Sequence, residues 1–130
     1  MKTLYTTFAT SLVLAANLLL TSAFAAGTIS VDELSSQINA GKAPLVIDVR
    51  SEDEYLAGHV PGARLIPHTQ IGDYLEGLAG QKDDTIVLYC RSGKRAGMAA
   101  DTLEKAGFKG ITILDGSFEG WQAAGKAVAK

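Results

Sequence analysis

Two short segments restrict this chain to few folds. Leu45-Val46-Ile47-Asp48-Val49 and Thr85-Ile86-Val87-Leu88-Tyr89 are nearly unbroken apolar runs. Such runs read as strands buried on both faces, and these belong to parallel sheets covered by helices. The intervening segments have helical character. Ser30-Val31-Asp32-Glu33 has the form of a capping box, and the helix it opens runs to about Ala40 with Val31, Leu34 and Ile38 on one face. Gly41 stops it. A second capping box, Ser51-Glu52-Asp53-Glu54, opens a short helix ending near Gly58. Leu65-Ile66 reads as a short strand closed by Pro67, and Ile71 to Leu78 as a weakly amphipathic helix. A helix from about Arg95 to Ala106, a strand over Ile111-Thr112-Ile113-Leu114, and a last helix capped by Ser117 and carrying Trp121 complete the pattern. Alternating strands and helices at short spacing predict an α/β fold built of βαβ units. In such folds sites form at the carboxyl ends of strands. Here those ends carry Asp48 to Arg50 and Cys90.

The first 25 residues read differently. Lys2 supplies a charge near the start, Leu12 to Leu20 is a short apolar core, and Ala23-Phe24-Ala25 fits a cleavage site. These features predict a secretory signal peptide over 1–25, a folded domain over 26–130, and export to the periplasm. The apolar core is short for a membrane span, so no membrane contact is expected after cleavage; an uncleaved anchor using more of Leu4 to Ala26 is the other reading. The remaining charge balance is mildly acidic, without a basic surface for nucleic acid. Cys90 is the one cysteine, so no internal disulfide can form, and a lone thiol in an oxidising compartment calls for a reason.

Its neighbours supply one. Cys90-Arg91-Ser92-Gly93-Lys94-Arg95 lies between a strand and a helix start. A loop in that position turns several backbone N–H groups inward, and the helix dipole adds positive potential. Gly93 allows the backbone to curl, while Arg91, Lys94 and Arg95 add cations. These surroundings favour the thiolate, the nucleophilic form. The same cradle suits an incoming anion and a negative charge carried on the cysteine sulfur.

This loop resembles the active-site loop of the rhodanese family. The resemblance extends to Asp48-Val49-Arg50, Glu54-Tyr55 and Gly58-His59-Val60-Pro61-Gly62-Ala63 on the amino-terminal side. On the other side it takes in Gly107-Phe108, Leu114-Asp115-Gly116 and Trp121. It implies a five-stranded parallel sheet flanked by helices on both faces, and a sulfurtransferase working through a Cys90 persulfide. The donor would be thiosulfate or a similar small sulfur anion, and the acceptor cyanide, a small thiol or a protein. No metal or organic cofactor is implied. The resemblance assigns the backbone from Arg91 to Arg95, with Ser92 and Gly93, to holding the persulfide. Arg91 and Lys94 would meet the donor, and Arg95 would be shared with the loop's own structure. Related cysteine phosphatases carry a loop one residue longer, so the four residues between Cys90 and Arg95 argue against phosphatase or arsenate reductase chemistry. A periplasmic sulfur carrier or redox module is the other reading. Leu65 and Ser117 depart from the family pattern, where Asn and Gly are common; both lie outside the active loop and are expected to alter local turns without changing its chemistry.

Asp48 and Arg50 are read as bracing the loop edges, since such a pair more often holds structure than moves protons. His59 is read as structural support as well, because a ready thiolate needs no base. His68 is expected to be exposed. Two histidines and one cysteine at scattered spacing make no zinc signature. A monomer is expected.

Overall fold

The computed structural model describes residues 26–130, and the segment read as a signal peptide lies outside the described residues. Five strands form one sheet: β1 (Gly27–Ile29), β2 (Leu45–Asp48), β3 (Arg64–Leu65), β4 (Thr85–Tyr89) and β5 (Gly110–Leu114). Their order across the sheet is β1-β5-β4-β2-β3, and every pairing is parallel. The α-helices are α1 (Val31–Asn39), α2 (Glu52–Ala57), α3 (Leu75–Leu78), α4 (Lys94–Lys105) and α5 (Ser117–Ala123).

The central strands are apolar throughout because both of their faces are covered. Ile47, Ile86, Leu88 and Ile111 pack on one face with Ala96, Ala99 and Leu103 of α4. Val46, Val87, Tyr89 and Leu114 pack on the other with Leu34 of α1 and with Phe118 and Trp121 of α5. Leu34 and Leu103 are wholly buried, and each burial of this kind contributes about 1.5–3 kcal/mol. This is the α/β sheet with helices on both faces that the apolar runs and the resemblance imply.

Several local expectations need correction. β1 is a strand that the sequence reading did not find. The segment read as a helix over Ile71 to Leu78 is mostly a 3₁₀ stretch, His68–Tyr74, followed by the single turn α3 and a second 3₁₀ turn, Ala79–Gln81. Gly72, Gly77 and Gly80 fall in this stretch, and glycine disfavours a continuous α-helix. At the start of α1, Ser30 accepts the Glu33 N–H at 3.0 Å. Only the box at α2 closes in both directions, with Ser51 Oγ accepting the Glu54 N–H and Glu54 accepting the Ser51 N–H. His68 is half-buried rather than exposed. Ser117 does not cap α5: Gly116 holds the cap position, without a side-chain bond.

Beyond α5 the chain folds back. Trp121 Nε1–H donates to the Ala127 carbonyl at 2.8 Å, and Ala129 exchanges two backbone bonds with His59, both 2.9 Å.

Candidate active site

Cys90 follows the last residue of β4, at the carboxyl end of the sheet. The loop after it curls through Gly93, whose φ is 119°, in the left-handed region that favours glycine. That turn brings the Gly93 N–H to the Cys90 Sγ at 3.0 Å. α4 begins at the next residue, so the sulfur sits at the start of a twelve-residue helix. A donor hydrogen bond and a helix start both favour negative charge on sulfur. Cys90 is 1% exposed, so only a small reagent with a slim reacting end can reach it.

The cations of the loop have separate fates. Arg91 Nε–H donates to Glu119 at 3.1 Å, in a pair whose side chains are 72% and 56% exposed. Lys94 is exposed and makes no ion pair among the described residues. Arg95 is committed elsewhere: its two terminal nitrogens donate to the two carboxylate oxygens of Glu54 at 2.7 and 2.9 Å. This bond, with smaller help from the Ser51 amide and hydroxyl, holds the Glu54 carboxyl at about 2, well below its ordinary 4.5. The same bond to Glu54 raises Arg95 above the usual guanidinium value. Ser92 is exposed. Sequence reasoning placed Glu54 in a helix cap and in the family resemblance but gave it no role at the loop, because its partner lies 41 residues further on.

Asp48 and Arg50 lie beneath the loop edge, 0% and 4% exposed. Arg50 grips Asp48 through Nε and Nη2, at 2.9 and 2.7 Å, and also donates to the Gly58 carbonyl at 2.7 Å. Its guanidinium lies 4.1 Å from the centre of the Phe118 ring. Burial pulls the Arg50 value down, but the hydrogen bond and charge of Asp48 outweigh it and raise the value overall. Tyr89 O–H donates to Asp48 at 2.7 Å and accepts the Val60 N–H at 3.0 Å. Burial first, and Asp48 second, push the Tyr89 phenol upward. No fully buried side-chain nitrogen or oxygen in this cluster goes unpaired, as the cost of burying polar groups requires. His59 sits in the adjoining turn. Its Nδ1 lies 2.9 Å from the Tyr55 carbonyl, and its ring stacks on Tyr55 with centroids 3.7 Å apart. Asp48, Arg50 and His59 are therefore engaged in contacts that fix backbone.

The N-terminal turn of α5 closes the site from behind. Phe118 N–H donates to the Cys90 carbonyl at 2.9 Å, and Glu119 N–H to the Arg91 carbonyl at 3.0 Å. Ser117 Oγ accepts the Cys90 N–H at 3.4 Å. Ser117 lies outside the active loop, as expected, yet its side chain touches the nucleophile's own backbone. Nothing in the local sequence signals this, because the partner is 27 residues away.

A cavity of about 340 Å³ opens beside the loop, lined by residues that include Arg50, Glu54, Arg91, Phe118 and Glu119. A larger one, about 550 Å³, is lined by Pro44 and Thr85 at the amino-terminal ends of β2 and β4. It lies at the end of the sheet opposite Cys90.

A parallel sheet that ends in one cysteine, cradled by a glycine-bearing loop at a helix start, defines a class of cysteine-dependent α/β domains. Residues 30–124 match the rhodanese-like domain, and the chain belongs to that family. It is 39% identical over 95 residues to the probable adenylyltransferase/sulfurtransferase MoeZ of Mycobacterium tuberculosis, covering 72% of this chain and 24% of that protein. The chain thus spans about a quarter of the length of this mycobacterial relative. It is 33% identical over 78 residues to the thiosulfate sulfurtransferase GlpE of Pseudomonas fluorescens, covering 60% of this chain and 70% of that one. Among solved structures, the human single-domain sulfurtransferase TSTD1 superposes with a TM-score of 0.66 at 30% identity, covering 76% of this chain and 97% of that one.

Proposed function

We propose that this protein is a thiosulfate sulfurtransferase that carries sulfur on Cys90. The carrying observation is the 3.0 Å bond from the Gly93 N–H to the Cys90 sulfur, made at the start of α4. A thiolate held there attacks the outer sulfur of thiosulfate. A new sulfur–sulfur bond forms to Cys90 as the donor's own sulfur–sulfur bond breaks, and sulfite leaves with the electron pair. The persulfide then yields its outer sulfur to cyanide, giving thiocyanate, or to a thiol, and the Cys90 thiolate returns. The loop amides hold the charge through both steps. Lys94 and Arg91 draw in the anionic donor, while Arg95 keeps the loop anchored to α2 through Glu54.

The Asp48–Arg50–Tyr89 cluster and His59 support the loop edges and move no proton in this scheme. The protein acts as a monomer exported to the periplasm, with segment 1–25 removed. Its acceptor there is a small thiol or a protein thiol. Export is tested by the mass of the protein recovered from the periplasm, which should begin at Ala26.

Catalysis is tested by thiocyanate formation from thiosulfate and cyanide, with Cys90→Ala as control and mass analysis of the protein. Turnover with one added sulfur, in the wild type only, is expected. A folded and reduced wild type that gives neither thiocyanate nor added sulfur overturns the reading. Hydrolysis of an aryl phosphate in its place would move the site to phosphate chemistry.

A further inference from the structure

Ser117 is the one non-glycine residue with positive φ among the described residues, at 50°. It follows Gly116, itself at 74°, so two successive residues hold left-handed backbone at the entrance to α5. Glycine occupies that region freely, whereas a residue with a Cβ is disfavoured there. The side chain that imposes this strain is also buried, 1% exposed. A polar side chain that is buried on a strained backbone should have a use that glycine could not supply.

Its one hydrogen bond is that use. The Ser117 hydroxyl accepts the N–H of Cys90, while the next residue, Phe118, donates its N–H to the Cys90 carbonyl. Both backbone polar groups of the nucleophile are thereby tied to two neighbouring residues of α5. The amide and the carbonyl flank the Cys90 Cα, so fixing both fixes the direction of the Cα–Cβ bond. That direction decides whether the sulfur meets the Gly93 N–H.

We propose that Ser117 is a positioning residue for Cys90. Its hydroxyl, delivered by the strained turn, aims the sulfur at the loop amides. The inference rests on the sulfur-transfer reading for its consequence in turnover, but its geometric content concerns the thiol alone.

The test uses the full chain and two variants. Ser117→Ala keeps a Cβ and loses the hydroxyl. Ser117→Gly loses the hydroxyl and relieves the backbone. Three quantities are read: the melting temperature, the rate of Cys90 alkylation by iodoacetamide at neutral pH, and the rate of sulfur loading from thiosulfate. Both variants should alkylate and load about 5–10-fold more slowly, the range a lost hydrogen bond carries. The KM for thiosulfate should stay within about twofold, because the donor does not touch Ser117. Ser117→Gly should melt at or above the wild-type temperature. A residue with a merely structural role would move the melting temperature and leave both rates alone. Wild-type rates in a folded Ser117→Gly would overturn the proposal. If the wild type loads no sulfur, the sulfurtransferase reading fails and the alkylation rates alone decide the role of Ser117.

Discussion

Arg95 holds both carboxylate oxygens of Glu54, at 2.7 and 2.9 Å, and so ties the start of α4 to α2 across 41 residues of sequence. The pair is partly shielded, with side-chain exposures of 28% and 32%. Glu54→Gln should cost about 1–2 kcal/mol in urea denaturation at neutral pH. The pH dependence has a definite sign. The Glu54 carboxyl is held at about 2 in the folded protein against 4.5 ordinarily. Its contribution is therefore complete above pH 4.5 and disappears as pH falls toward 2. The gap between wild type and Glu54→Gln should narrow over that window. A constant gap would show that the ion pair is not its source.

Arg50→Met should be far more damaging. It leaves Asp48, wholly buried, without its countercharge. Breaking a buried pair from one side costs about 3–5 kcal/mol. Tyr89→Phe is a milder cut into the same cluster. It removes one bond to Asp48 and strands the Val60 N–H, a loss of about 1–3 kcal/mol. Thermal and urea melts of both variants check the order of the two losses.

Gly93→Ala tests the curl of the loop. No atom lies within 4 Å of the place a Cβ would take, so crowding is not the issue. The backbone at φ 119° lies in the left-handed region, which a residue with a Cβ adopts only under strain. A loss of roughly 1–2 kcal/mol in stability is expected from the dihedral alone. Because relaxation would draw the amide away from the Cys90 sulfur, sulfur loading should fall about 10-fold or more. Loading at the wild-type rate would show that this amide is not needed.

Lys94→Ala and Arg91→Ala should separate binding from stability. Both side chains are exposed, and the Arg91–Glu119 pair is open to solvent. Stability should change by less than about 0.5 kcal/mol. The KM for thiosulfate should rise several-fold in each variant, and added salt should shrink the difference. Titrating turnover against thiosulfate at two ionic strengths gives the answer.

Sequence made the sheet legible where the strand had to be apolar on both sides. β2 and β4 stand out because Val46 and Val87 face one layer while Ile47 and Ile86 face the other. β1 does not, since it is three residues, contains Gly and Thr, and lies at the sheet edge. The stretch from His68 to Gln81 carries apolar residues at helical spacing, yet its glycines and short turns prevent a continuous helix. The site divides in the same way. Cys90, Gly93 and the three cations are neighbours in sequence, so their chemistry could be read directly. Glu54, Glu119 and Ser117 reach the loop only through the fold, and no local pattern reports a contact made at such separation.

The bonds from Ser117 and Phe118 to Cys90 also set an order of events in biosynthesis. A polypeptide leaves the ribosome amino end first, so Cys90 emerges well before the residues that align it. Until α5 has emerged and docked, the sulfur has its loop but not the brace behind it. The reactive arrangement therefore waits for α5, and a chain stopped short of it carries a thiol without its aim.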